Sequence, residues 1–216
     1  VIDKVISIQA SKNQVICESQ VLGYDYLVVA FGADKMQHKG ISNTLTICGK
    51  PEQTLQLRDK LDALIEKGTG KIAIGFGGNP KDKSAVRGGP AFELIFNIHH
   101  YLKKKGLRDK FELTMFAPME QPGARMGKNA MKAIQTLFGK QNIQKRFGKK
   151  ITEFVEDGVI FEDASKQEAD LIMFIAGAKG SAILTDSDLT LSEAGFVKLN
   201  NYNQVAEFPN VFAIGD

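Results

Sequence analysis

The stretch that decides the fold is "KIAIGFGGNPKDKSAVRGGPAFELIFNIHHYLKKKGLRDKFELTMFA", Lys71 to Ala117. It begins with a continuous apolar run, Lys71 to Phe76, too short for a helix and bounded by glycine. "AFELIFNIHHYLKKKG" then places Ala91, Leu94, Ile95, Ile98 and Leu102 on one helical face and stops at Gly106. A second apolar run, Phe111 to Ala117, closes it. Strand, helix and strand over about 45 residues make a βαβ unit with parallel strands buried on both faces.

Outward from this unit the pattern continues on both sides. Pro51 to Lys67 reads as a helix with Leu57, Leu61, Leu64 and Ile65 on one face and Gly68 as its stop. "NAMKAIQTLFG" (Asn129 to Gly139) reads as another helix, and "ADLIMFIAG" (Ala169 to Gly177) as another buried strand. Short strands at Ile151 to Phe154 and Val159 to Glu162, with "EDG" between them, predict a β-meander inserted into the α/β layer. Near the start, Lys4 to Ile8 and Gln14 to Glu18 flank the turn "ASKN" and predict a hairpin. Leu27 to Phe31 reads as a strand buried on both faces, and Val211 to Ile214 as another buried strand.

The 216 residues are 43% hydrophobic, enough for a full core. The net charge of +3, from 28 basic and 25 acidic residues, is too small a bias to indicate nucleic acid. "KQNIQKRFGKK" (Lys140 to Lys150) is locally basic and reads as a solvated surface. No apolar run approaches the ~20 residues of a spanning helix, so the polypeptide is expected to be soluble. Cys17 and Cys48 are too few for a disulfide scaffold and lack metal-site spacing, which implies a reducing compartment. His99 and His100, adjacent on a helix, point about 100° apart and cannot share a metal. Neither they nor His38, in the loop "DKMQHKG", acquires a role, and no metal site is expected. The strand-like opening on Val1 reads as a piece of a longer chain.

The turn after the first central strand, "GFGGNPKDKSAVRGGP", carries Gly75, Gly77, Gly78, Gly88 and Gly89. Glycines there let a ligand approach the backbone, and the helix N-terminus after them favours phosphate. A dinucleotide turn is compact, however, whereas these glycines form two groups ten residues apart. Ala117 and Pro118 also stand where an acid for the ribose would be, with Glu120 two residues late. Two readings remain: a cofactor loop, or glycines that let sheet and helix pack closely. Cys48, in "TLTICGKPEQ", precedes a helix N-terminus and Lys50, both of which favour a thiolate; an inert packed thiol fits the same local sequence. Cys17 alternates with Val15 in the hairpin and reads as structural.

"YDYLVVAFGA" (Tyr24 to Ala33) resembles a segment of two-dinucleotide-domain flavoproteins of the pyridine nucleotide–disulfide oxidoreductase superfamily, with Phe31 in place of threonine. "PNVFAIGD" (Pro209 to Asp216) resembles their late flavin motif. Within that superfamily "LTICGKPEQT", "GGPAFE" (Gly88 to Glu93) and "ADLIMFIAGAKG" most resemble sulfide:quinone oxidoreductases and flavocytochrome sulfide dehydrogenases.

The resemblance implies an α/β fold: a Rossmann-like second nucleotide-binding domain with central parallel sheet and inserted β-meander over residues 41–205, plus β-rich parts of an FAD domain at 1–40 and 206–216. It implies FAD contacts at Gly32, Gly215 and Asp216, a cofactor-type loop at Gly75, Gly77, Gly78 and Gly89, and Cys48 as the redox cysteine. NAD is not expected. Electrons would pass from sulfide through cysteine sulfur to FAD and then to quinone, although the family's partner cysteine has no match here. The family's FAD-pyrophosphate glycine fingerprint and C-terminal region are not matched either, so this chain alone is expected to retain FAD poorly. Localisation would be cytoplasmic or peripheral to the cytoplasmic membrane, through a C-terminal region. Two other readings are an NAD(P)H:quinone or ferredoxin-type reductase and a non-catalytic Rossmann-like binding or assembly module.

Overall fold

Four parallel strands form the central sheet in the order Leu171–Ile175, Gly70–Phe76, Phe111–Ala117, Ile143–Phe147. The computed structural model describes residues 1–215. Its contacts divide the chain into two units: Val1–Met36 with Asn79–Ala85 and the residues from Ala178 onward, and Gln37–Gly78 with Val86–Gly177.

The second unit contains the sheet. Its central strands are apolar throughout because successive side chains point to opposite faces and both faces are covered. Ile72, Ile74, Leu113 and Met115 pack under helix α2 (Gly89–Lys104), which contributes Ala91, Ile95, Ile98 and Leu102. Ala73, Phe116, Ile172 and Phe174 face the other way, against Phe154, Val159 and Phe161 of the meander. That meander has three antiparallel strands, Ile151–Val155, Gly158–Phe161 and Lys166–Glu168. Each fully buried Phe or Ile contributes about 1.5–3 kcal/mol relative to exposure. The core therefore lies on both faces of one sheet, as the βαβ reading predicts.

Helix α1 spans Pro51–Lys67 and ends at Gly68, whose φ of 81° is left-handed and suits glycine. Helix α3 spans Lys128–Lys140. Within Lys140 to Lys150, read from the sequence as a solvated surface, Ile143–Phe147 adds a strand that the reading did not include. It is a sheet-edge strand in which Ile143 is buried and the three residues after it are exposed. An edge strand has one neighbour, so its apolar signal is short, and Lys and Arg commonly guard such an edge.

The first unit holds the expected hairpin, Val5–Gln9 against Gln14–Cys17, with Val21–Gly23 as a third strand. Leu27–Val29 is shorter than expected and is not buried on both faces: Val28 is 55% and Phe31 42% exposed. It is the edge strand of a three-stranded sheet, with Phe208–Ala213 as its partner, and only the face that Val29 points to is covered among the described residues. The return strand extends from Phe208 to Ala213, with Val211 buried and Ile214 exposed. Contacts place residues 178–205 in this unit, whereas the sequence reading drew its boundary at 205. Leu184 and Leu189 pack with Ile8, Val29, Val205 and Val211.

Candidate functional site

In the first unit, Leu27–Val29 and Phe208–Ala213 run parallel, with Leu27 opposite Val211 and Val29 opposite Ala213. The Ile214 N–H donates to the Val29 carbonyl at 3.0 Å, carrying the pairing to the strand ends. Just beyond lie Gly32 (φ 78°) and Gly215 (φ 91°), both left-handed. At neither glycine would an added Cβ meet an atom within 4 Å. Both line a cavity of about 260 Å³ together with Ser181, Leu184, Phe196 and Asn203. Two bare backbone turns thus face open space at the C-terminal ends of adjacent parallel strands, where α/β proteins bind ligands. This is a cradle a flavin nucleotide could fill. Asp216 lies outside the described residues.

The glycine loop of the second unit is different. A Cβ on Gly75 would lie 2.3 Å from the Phe116 ring, and one on Gly77 would lie 3.1 Å from Phe174 and 3.2 Å from the Gly177 backbone. At Gly78 the Met119 methyl is 3.0 Å away; at Gly89, the first residue of α2, space is open. Protein atoms therefore occupy the space that Gly75, in the strand, and Gly77, after it, leave, whereas the space beside Gly89 is open. Gly75→Ala is expected to overpack against Phe116 and lower stability by about 1–3 kcal/mol. A urea midpoint equal to that of the wild type would contradict this.

Cys48 is positioned by a strand-like contact. The Leu45 N–H donates to Ile172 at 2.9 Å and the Phe174 N–H to Leu45 at 2.9 Å, which ties the segment beside Leu171–Ile175. The chain then turns into α1. The Cys48 N–H donates to Thr46 Oγ1 at 3.2 Å, and the Lys50 N–H to Gln53 Oε1 at 3.1 Å. Cys48 is half-buried against the helix-side core, two residues before the α1 N-cap Lys50. Cys17 is buried opposite Val5 in the hairpin, and the two cysteines form no disulfide. Among the described residues no cluster of His, Cys, Asp or Glu could hold a metal, and no helix is long and apolar enough to cross a membrane.

Sequence reasoning missed His38 and Arg108. His38 stands edge-on to Phe174 and Phe154, with ring centroids 5.1 and 6.0 Å away, and its Nε2 is buried without a hydrogen-bond partner among the described residues. Burial lowers its pKa below the ordinary 6.5. His99 Nδ1 accepts from Arg108 Nε at 2.9 Å; burial, and then the Arg108 charge, lower its pKa too. A histidine kept neutral in the fold gives stability that is complete above the unfolded value of 6.5 and is lost as pH falls toward the lowered folded value. Unfolding midpoints are accordingly expected to drop as pH falls below about 6.5, less steeply in His38→Phe. An unchanged slope in that variant would contradict the assignment. Nothing in "DKMQHKG" signals this, because the aromatic partners lie over a hundred residues away in sequence.

Known proteins share this fold and sequence pattern. The sulfide-quinone reductase of Aquifex aeolicus is 28% identical over 99% of this chain and 51% of its own length. The mitochondrial sulfide:quinone oxidoreductase of Schizosaccharomyces pombe is 25% identical over 98% of this chain and 48% of its own. The crystal structure of the A. aeolicus sulfide:quinone oxidoreductase superposes with a TM-score of 0.84 at 26% identity, covering 100% of this chain and 51% of that one. The chain spans about half the length of the curated relatives it matches. The pyridine nucleotide-disulphide oxidoreductase profile matches residues 1–216, and the chain belongs to that family.

Proposed function

We propose that this chain is part of a flavoprotein oxidoreductase that passes electrons from sulfide to FAD and on to a quinone, with Cys48 as the redox thiol. The observation that carries the reading is the pair Gly32 and Gly215, left-handed, open-faced and adjacent at the ends of two parallel strands. They let the cofactor reach the backbone, and Asp216 follows them in sequence as a carboxylate for its hydroxyls. FAD, when bound, supplies two-electron acceptance and return. Cys48 contributes the nucleophilic sulfur, held at the head of α1 by the Leu45 and Thr46 contacts. The likeness to the two sulfide-oxidising relatives supports sulfide and quinone as substrates. The filled space around Gly75 and Gly77 supports a reading without NAD.

The test uses the natural polypeptide that contains this chain. It should carry a flavin spectrum and reduce a short-chain quinone when sulfide is added. Quinone reduction driven by NADH and indifferent to sulfide would overturn the proposal. This chain alone, spanning half of its relatives, is expected to purify colourless, and a stoichiometric flavin spectrum would contradict that.

A further inference from the structure

Helix α3 fully buries only Phe138, whereas α2 buries Ala91, Phe92, Ile95, Ile98 and Leu102. Beside the inner face of α3 lies a cavity of about 290 Å³, slightly larger than the one at Gly32 and Gly215. Its floor is aromatic. The Phe92 and Phe138 rings stack with centroids 6.2 Å apart and 28° between their planes, and Phe147 lies 6.3 Å from Phe138. Met131 and Ile134 supply the helix wall, and the exposed side chains of Glu120 and Lys145 line the rest.

Backbone geometry fixes these walls. Gly148 (φ 78°) donates its N–H to the Ala117 and Met119 carbonyls at 3.1 and 3.0 Å, and the Glu120 side chain lies 3.1 Å from where a Cβ would stand. Gly123 (φ 88°) turns the loop before α3 so tightly that a Cβ would stand 2.6 Å from the Met126 methyl and 3.3 Å from the Met131 sulfur. Lys145 shares a strand face with Ile143 and Phe147, since alternate residues point the same way. Its cation therefore stands beside phenylalanine rings, and among the described residues no carboxylate pairs with it. Edge protection accounts for a lysine on this strand but not for the ring-floored space next to it.

We propose that this cavity binds a small aromatic carboxylate that also carries a hydrogen-bond donor. The residues all belong to one compact unit, and the proposal is independent of the redox reading. Phenylalanine rings receive a further ring edge-on or offset. The Lys145 ammonium donates to the carboxylate in a charge-assisted bond. Glu120, which forms no ion pair with Lys145, accepts from an amino or hydroxyl group on the ring and repels a second anionic group. The volume is near the lower end of small-molecule sites, ~300 Å³, which suits one ring or two fused rings and not a dinucleotide.

Calorimetric titration of the natural polypeptide with anthranilate tests this. Binding should saturate at one site, and the neutral anthranilamide and the dianion phthalate should each bind at least ~tenfold more weakly. Lys145→Gln, at an exposed position that the fold tolerates, should lower anthranilate affinity at least ~tenfold and leave anthranilamide unaffected. Ile134→Trp should fill the cavity and abolish binding while keeping the wild-type urea midpoint. No saturation up to ~5 mM overturns the proposal. So does equal affinity for anthranilate and anthranilamide, or a Lys145→Gln variant that binds anthranilate as the wild type does. Displacement of anthranilate by equimolar AMP would assign the cavity to a nucleotide and overturn it as well.

Discussion

Arg108→Ala is expected to lower stability by about 2–4 kcal/mol, because one guanidinium satisfies acceptors from several elements. Its Nε donates to His99 Nδ1 on α2 at 2.9 Å, and Nη1 to the Phe111 carbonyl at 2.6 Å, where a central strand begins. Nη2 donates to the Gln141 and Asn142 carbonyls, just past α3, at 2.7 and 2.8 Å. Burial lowers the Arg108 pKa, opposed by Asp109, so the charge sits in a partly desolvated place. Truncation leaves three carbonyls and a ring nitrogen without this donor set. Arg108→Lys should recover only a minor part, since one ammonium cannot reproduce the planar fork. Urea unfolding checks this, and a loss below about 0.5 kcal/mol for the alanine variant would contradict it.

Arg108 also marks the limit of what the sequence discloses. The central βαβ unit is legible because its signals are local: a short continuous apolar run in Gly70–Phe76, apolar residues at helical spacing in α2, and glycine at the stops. Ile143–Phe147 is not, because an edge strand needs only one or two inward side chains. His38 and Arg108 take their meaning from partners in distant segments, and "DKMQHKG" and "GLRDK" carry no trace of them. The glycines show a subtler limit. Composition marks Gly75 and Gly215 alike, yet only the fold reveals that a phenylalanine ring fills the space beside one and that space is open beside the other. Burial of Leu27 to Phe31 was overestimated for a related reason: an apolar run cannot report whether both of its faces have a partner within the chain.

The second large effect concerns chemistry. Cys48→Ser in the natural polypeptide should slow sulfide-dependent flavin reduction by at least ~100-fold, because a serine hydroxyl is neither ionised near neutral pH nor able to exchange sulfur. Flavin content should not change, since the cofactor cradle we propose at Gly32 and Gly215 belongs to the other compact unit. Stability should also stay near that of the wild type, because the side chain is half-buried and serine is close in size. Loss of activity together with loss of flavin would mark Cys48 as structural.

The most direct measurement is anaerobic mixing of the flavin-loaded natural polypeptide with sulfide, followed by the flavin absorption. Wild type should bleach and recover its colour on adding quinone, while Cys48→Ser should hold its flavin and stay oxidised. Bleaching of the variant at the wild-type rate would contradict the assignment of Cys48 as the redox thiol.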